Sequence, residues 1–175
     1  FREYERASTT AMAAYLAPIV DRYVGKLEQT LEERAGKTAL FIMQSSGGVL
    51  PSGGARARGV GMLNSGPAAG VIAAVRVSER LGDSHIITLD VGGTSADVCL
   101  IADGSPDVTS EREVDGLSVG MPSLDIANVG AGGGSIGWID RGGMLQVGPR
   151  SAGARPGPAC YGHGGEEPAL TDALV

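Results

Sequence analysis

Between residues 8 and 34 the apolar positions Met12, Tyr15, Leu16, Ile19, Tyr23, Leu27 and Leu31 recur at steps of three and four. That spacing places one stripe on a helix, with Ser8 or Thr9 as a cap, Gly36 as the stop and Pro18 as a kink or a restart. Thr38–Met43 is a short, partly β-branched apolar run and predicts a buried strand. Gln44–Val49 then reads as a simple turn, with a ligand-facing loop as the alternative. Residues 51–61 show no period and are expected to be irregular. Asn64-Ser65-Gly66-Pro67 opens a second helix that runs to Gly82. One flank of it is small (Ala68, Ala69, Gly70, Ala73, Ala74), which suits close packing; its N-terminus suits an anion equally well.

Beyond residue 83 the period changes. Ile86–Leu89 and Val98–Ile101 are apolar runs on either side of Asp90-Val91-Gly92-Gly93-Thr94-Ser95-Ala96-Asp97. Two strands joined by a glycine turn are predicted. Adjacent glycines let backbone N–H groups converge on an anion, and the Thr94 and Ser95 hydroxyls add donors. Asp90 and Asp97 flank the turn with the oxygen ligands that a hard cation prefers. A phosphate-binding hairpin and an ordinary hairpin are both compatible with this stretch alone. Val108–Val114 predicts an edge strand. Leu124–Val129 predicts a strand ending in a second glycine loop, Gly130–Ser135, where Gly132, Gly133 and Gly134 are candidate nucleotide contacts. No helical pattern follows that loop, so it is not a dinucleotide fingerprint. Instead Ile136–Ile139 and Met144–Val147 form a hairpin across Asp140–Gly143. Residues 148–168 hold too many prolines and glycines for regular structure and are expected to be an ordered, packed loop. Cys160 and His163 within it resemble a nucleophile and a base, but no acid partner is evident.

Composition narrows the field. The 175 residues include 29 glycines, clustered between apolar runs, and only 4% aromatics, so the core must rest on aliphatic side chains. A net charge of −6 without a basic stripe argues against nucleic acid as a partner. No apolar run reaches bilayer length, no leader pattern stands at the start, and Cys99 and Cys160 have neither metal nor disulfide spacing. No membrane partner and a cytoplasmic setting are therefore expected. The chain opens at Phe1 inside a helical pattern and closes on Thr171–Val175, which read as the first turn of another helix, so a piece of a longer protein is expected.

The Asp90–Asp97 motif resembles the Asp-x-Gly-Gly-Thr phosphate loop of the sugar-kinase/Hsp70/actin superfamily. With Ser8–Pro18, Met43–Gly48, Ser65–Val71, Val129–Ile136, Val147–Gly162 and Thr171–Ala173 in order, the chain resembles the hydantoinase A/5-oxoprolinase family over nearly its whole length. The resemblance implies an α/β fold of actin-like, ribonuclease-H-like ATPase type, with a mixed sheet and flanking helices. Residues 1–175 would form a single domain fragment, the second half of a hydantoinase A-type domain: helix-rich over 1–82, with the phosphate hairpin and β-rich glycine loops over 83–175.

The implied cofactors are ATP and Mg²⁺. The implied reaction is ATP-dependent opening of a hydantoin- or oxoproline-like cyclic amide after activation of the carbonyl oxygen. The alternatives are the ATP-handling subunit of a ketone carboxylase, or a non-catalytic nucleotide-gated binding module. Asp90 and Asp97 are the catalytic candidates, Asp90 also the metal ligand. Val91, Gly92, Gly93, Thr94 and Ser95 are the nucleotide-binding candidates, with Gly132–Gly134. The implied partners are a cyclic amide or ketone substrate, a hydantoinase B-type subunit or domain, and an N-terminal half carrying the other phosphate loop; the isolated fragment is expected to be inactive. Three positions depart from the family pattern: Ala96 and Ala169 stand where Thr is usual, and Ala127 where a His or another polar residue is common.

Overall fold

The computed structural model describes residues 1–114 and 116–175. In chain order the elements are α1 Glu3–Ala35, β1 Phe41–Met43, β2 Val49–Pro51, α2 Ser52–Ala57, a 3₁₀ turn Gly59–Met62 and α3 Ser65–Leu81. There follow β3 Ile86–Val91, β4 Ala96–Ala102, β5 Ser105–Pro106, β6 Val108–Thr109, β7 Arg112–Val114 and β8 Leu117–Val119. The last are β9 Ser123–Leu124, β10 Ala127–Val129, β11 Ser135–Ile139, β12 Leu145–Ser151, and 3₁₀ turns at Ala159–Tyr161 and Leu170–Ala173. The expected α/β class holds. The chain divides into two compact units, one of residues 1–86 with 100–125, the other of residues 87–99 with 126–175.

In the first unit α1 runs unbroken through Pro18. The proline removes one ladder hydrogen bond. Val20 and Val24, the buried residues of this helix, follow it directly. Gly59 lies under Val20 so closely that a Cβ there would meet Val20 Cγ2 at 2.9 Å. Arg56 of α2 reaches Asp21 at 2.6 Å and Glu28 at 3.2 Å on α1. The predicted apolar stripe divides: Leu16, Leu27 and Leu31 are partly covered beside Val20 and Val24, while Tyr15, Ile19 and Tyr23 stay exposed. The apolar arc is wider than the face this unit covers.

Residues 51–61 are expected to be irregular, yet Ser52–Ala57 form α2 and Gly59–Met62 a 3₁₀ turn. Serine and two glycines hide a short helix from any periodicity argument, and its order comes from burial of Ala55 and contact of Gly54 with Leu50. The Gln44–Val49 segment is a hairpin turn between antiparallel β1 and β2, closed by Gln44 N–H to Gly48 C=O at 2.8 Å. Ser45 is spent inside the fold: its hydroxyl bonds the Gly61 and Leu63 carbonyls, and its carbonyl accepts from Leu124 N–H. On α3 the buried face is Ala68, Val71, Val75 and Ser78. Asn64 occupies the N-cap position in the left-handed region without a side-chain cap, and Gly82 ends the helix at φ 77°. The predicted edge strand is two short pieces, β6 and β7, with separate antiparallel partners, β9 and β8.

In the second unit β10, β4 and β3 lie side by side, with Ala127, Asn128 and Val129 opposite Val98, Asp97 and Ala96 in antiparallel register. The run predicted as one strand over Leu124–Val129 therefore serves two sheets, its ends belonging to β9 and β10. β11 and β12 form the expected hairpin, with a register shift between Ser135 and Gly137. Asp140 closes its turn: Oδ1 accepts from the N–H groups of Gly142 (2.8 Å) and Met144 (2.9 Å), and Oδ2 from Gln146 (3.0 Å). These bonds hold its carboxyl below the usual carboxylate range. β12 extends to Ser151, further than the sequence predicts. Among the described residues no helix is long and apolar enough to cross a membrane.

Candidate active site: two glycine loops locked back to back

β3 carries Asp90 and Val91 to the turn and β4 leads away from it. Gly92 N–H bonds Ser95 C=O at 2.9 Å, closing the turn. The second glycine loop packs directly against it. Gly133 N–H donates to Gly92 C=O at 2.9 Å and Gly134 N–H to Gly93 C=O at 2.6 Å. A Cβ on Gly132 would stand 2.7 Å from both Gly92 O and Ser95 N, and one on Gly134 would stand 2.8 Å from Gly93 O. Glycine here permits an approach that no other residue allows.

The polar groups of the two loops have different fates. Gly132 N–H goes to the hydroxyl of the buried Ser135, and Gly132 C=O accepts from Ser135 N–H. Gly133 C=O accepts from both Thr171 N–H and Thr171 Oγ1, each at 2.8 Å. Gly134 C=O accepts from Ala152 N–H at 2.7 Å. All six backbone groups of Gly132–Gly134 are thus satisfied within the protein, and none of their N–H groups is left to hold a phosphate. Their contribution is closeness and bracing. In contrast, among the described residues the N–H groups of Gly93 and Thr94 and the hydroxyls of Thr94 and Ser95 donate to no protein acceptor. The bracing turns the Gly92 and Gly93 carbonyls toward the second loop, while the Gly93 and Thr94 N–H groups remain available to donate. Fixed donors of this kind suit an anion.

Val91, Gly92, Gly93 and Thr94 line a cavity of about 750 Å³, together with Gly133, Gly134, Thr171 and the apolar Pro158, Tyr161 and Leu174. Ser95 and Gly132 are not part of that lining. Asp90 is exposed at the end of β3. Asp97 faces its cross-strand partner Asn128, whose side-chain amide donates to it at 2.9 Å. Among the described residues no three His, Cys, Asp or Glu side chains converge on a point that could hold a metal. Mg²⁺ commonly takes one or two carboxylates and completes its shell with phosphate oxygens and water, so the single exposed carboxylate of Asp90, at the end of the strand that leads into this turn, fits it.

Thr171 lines the cavity and Asp172 adjoins it; the sequence marks Thr171–Ala173 as a family signature and a terminal helical turn, but assigns neither residue to the site. The available signal was the cap-forming Thr-Asp pair itself. Cys160 has an acid neighbour after all, Asp172, which accepts from its N–H at 2.7 Å and sets a negative charge beside its thiol. That contact pushes the thiol pKa up, the opposite of what a nucleophile needs. His163 packs edge-on against Tyr161, with ring centroids 6.4 Å apart. Ala96 is buried at the start of β4, and Ala169 is buried in a bridge to Ile136.

The profile of the hydantoinase/oxoprolinase family matches residues 6–175. The chain belongs to the hydantoinase/oxoprolinase family. Within it, the chain is 44% identical over 172 residues to the caprolactamase subunit alpha of Pseudomonas jessenii, covering 98% of this chain and 25% of that protein. The crystal structure of the ATP-dependent caprolactamase from the same organism superposes with a TM-score of 0.81, covering 99% of this chain and 25% of that one. The acetophenone carboxylase gamma subunit of Aromatoleum aromaticum is 37% identical over 178 residues, covering 99% of this chain and 24% of that protein. The chain thus spans about a quarter of the length of these family members.

Proposed function

We propose that this chain is the second half of a hydantoinase A-type domain and carries one phosphate-binding jaw of an ATP-dependent cyclic amidase. The observation that carries the reading is the locked pair of glycine loops, which leaves the Gly93 and Thr94 N–H groups and the Thr94 hydroxyl unspent at a cavity. ATP, when bound, supplies the phosphoryl group that converts an amide oxygen into part of a leaving group. The chain's own residues hold charge and position. The turn donors balance negative charge on phosphate oxygens without reorganising, because the second loop already fixes them. Asp90 would hold Mg²⁺ or its water, and Asp97, tied to Asn128, would keep β4 in register beside the turn. The other jaw belongs to an N-terminal half with its own phosphate loop, and a hydantoinase B-type subunit or domain is the expected partner. Among the described residues no disulfide joins Cys99 and Cys160, which suits a reducing compartment such as the cytoplasm.

A second reading has its own support in the 37% identity to an acetophenone carboxylase subunit: the same jaw serving a ketone carboxylase. The full-length protein with its partner subunit separates the two. It should form ADP together with ring-opened product from hydantoins, 5-oxoproline or lactams without bicarbonate. ADP formation only with a ketone and bicarbonate would replace the amidase reading with the carboxylase one.

A further inference from the structure

Asp172 does not line the cavity, yet it ties together two segments that do. Its Oδ1 accepts from Cys160 N–H at 2.7 Å, and its Oδ2 from Ala169 N–H at 2.7 Å and Ala159 N–H at 3.2 Å. Pro158 and Tyr161, on either side of the first anchor, line the cavity beside Gly93 and Thr94. Thr171, between the second anchor and the carboxylate, also lines it and clamps Gly133 C=O with two donors. Gly133 N–H in turn holds Gly92 C=O. Asp172 is thus linked, through one short turn of backbone to Thr171 and then by hydrogen bonds through Gly133, to the back of the Gly92–Ser95 turn.

We infer that Asp172 is a positioning residue for nucleotide binding, holding the 158–161 wall and the Thr171 brace in the geometry the phosphate turn requires. The inference rests on reading that turn as the phosphate site. The job calls for a carboxylate, because three N–H groups approach and both oxygens must accept. An asparagine offers one acceptor oxygen and points its NH₂ at the remaining N–H groups. The depressed pKa of Asp172, about 2, has the same cause: the N–H bonds from Ala169 and Cys160 favour the anion. Asp140 is a natural control, since it closes a turn by the same chemistry in the same unit but away from the cavity.

The test uses the full-length protein with its partner subunit. It compares Asp172→Asn, Asp140→Asn, Thr171→Val, Thr171→Ser and Thr94→Val, reading the dissociation constant for ATP with Mg²⁺ and, with substrate, KM for ATP against kcat. Asp172→Asn should weaken ATP binding about tenfold or more, with kcat changed much less, while Asp140→Asn leaves binding at the wild-type value. Thr171→Val should move affinity in the same direction and Thr171→Ser should restore it. That pair decides the matter if Asp172→Asn does not fold. Wild-type ATP affinity in folded Asp172→Asn, or in Thr171→Val, overturns the positioning role. If Thr94→Val also leaves affinity unchanged, the phosphate-site reading has failed as well. If only Thr94→Val weakens binding, the positioning role alone has failed.

Discussion

Replacing Gly132 by alanine puts one methyl group into the contact between the two glycine loops. The nearest atoms are Gly92 O and Ser95 N at 2.7 Å and the Thr94 carbonyl carbon at 2.8 Å, all backbone of the Gly92–Ser95 turn. No flexible side chain is available to move aside. Ordinary contact begins near 3.4 Å, so the loops must separate by about 0.7 Å, and overpacking of this kind costs about 1–3 kcal/mol. The separation also stretches the bonds Gly133 N–H to Gly92 C=O and Gly134 N–H to Gly93 C=O, each worth about 0.5–1.5 kcal/mol. Loss of chain entropy in the unfolded state returns about 0.4–1 kcal/mol. A net destabilisation of about 2–4 kcal/mol is therefore expected in urea unfolding, with weaker ATP binding in calorimetric titration of the full-length protein. Gly130→Ala is the matched control, because its Cβ would meet nothing within 4 Å and its φ is not positive. If Gly132→Ala unfolds at the same urea concentration as Gly130→Ala and binds ATP equally well, the back-to-back packing is not what shapes the turn.

Other outcomes follow from the same geometry. Gly93→Ala meets open space, so it should fold with near wild-type stability; because Gly93 lines the cavity, the proposed phosphate site predicts that the added methyl group lowers ATP affinity, and unchanged affinity would remove Gly93 from the site. Ile101→Ala empties a fully buried position and should cost about 2–5 kcal/mol in urea unfolding. For Asp172 the folded pKa lies below the unfolded value of 3.8, so its contribution is complete above that value and fades as pH falls toward about 2. Amide exchange at Cys160 and Ala169 should accelerate across that window, whereas a pH-independent rate ratio between these amides and the rest of the fold would contradict the clamp.

The elements with long, regular periods were legible in the sequence. The α1 and α3 helices and the β3–β4 and β11–β12 hairpins announce themselves through spacing and glycine turns. Which side of α1 is covered was not legible, because Tyr15, Ile19 and Tyr23 satisfy the same period as Leu16, Val20 and Val24. The α2 helix was hidden by Ser52-Gly53-Gly54, whose intrinsic preference is against it; contacts with β2 and α1 override propensity there. At the site, the turn residues 91–95 were visible as a motif. The division of labour between the two glycine loops was not, since Gly92 and Gly133 are distant in sequence and their pairing exists only after folding. Thr171 and Asp172 were hidden for the same reason, their partners lying 38 and 12 residues away.

On the proposed function, the unspent donors of Gly93 and Thr94 hold nucleotide phosphate in the full-length protein. Titrating ATP and Mg²⁺ into the full-length wild type and into Thr94→Val and Asp90→Asn tests it most directly. The wild type should bind measurably, Thr94→Val should lose affinity about tenfold or more, and Asp90→Asn should lose the Mg²⁺ dependence. Equal, Mg²⁺-dependent ATP affinity in all three proteins would contradict it.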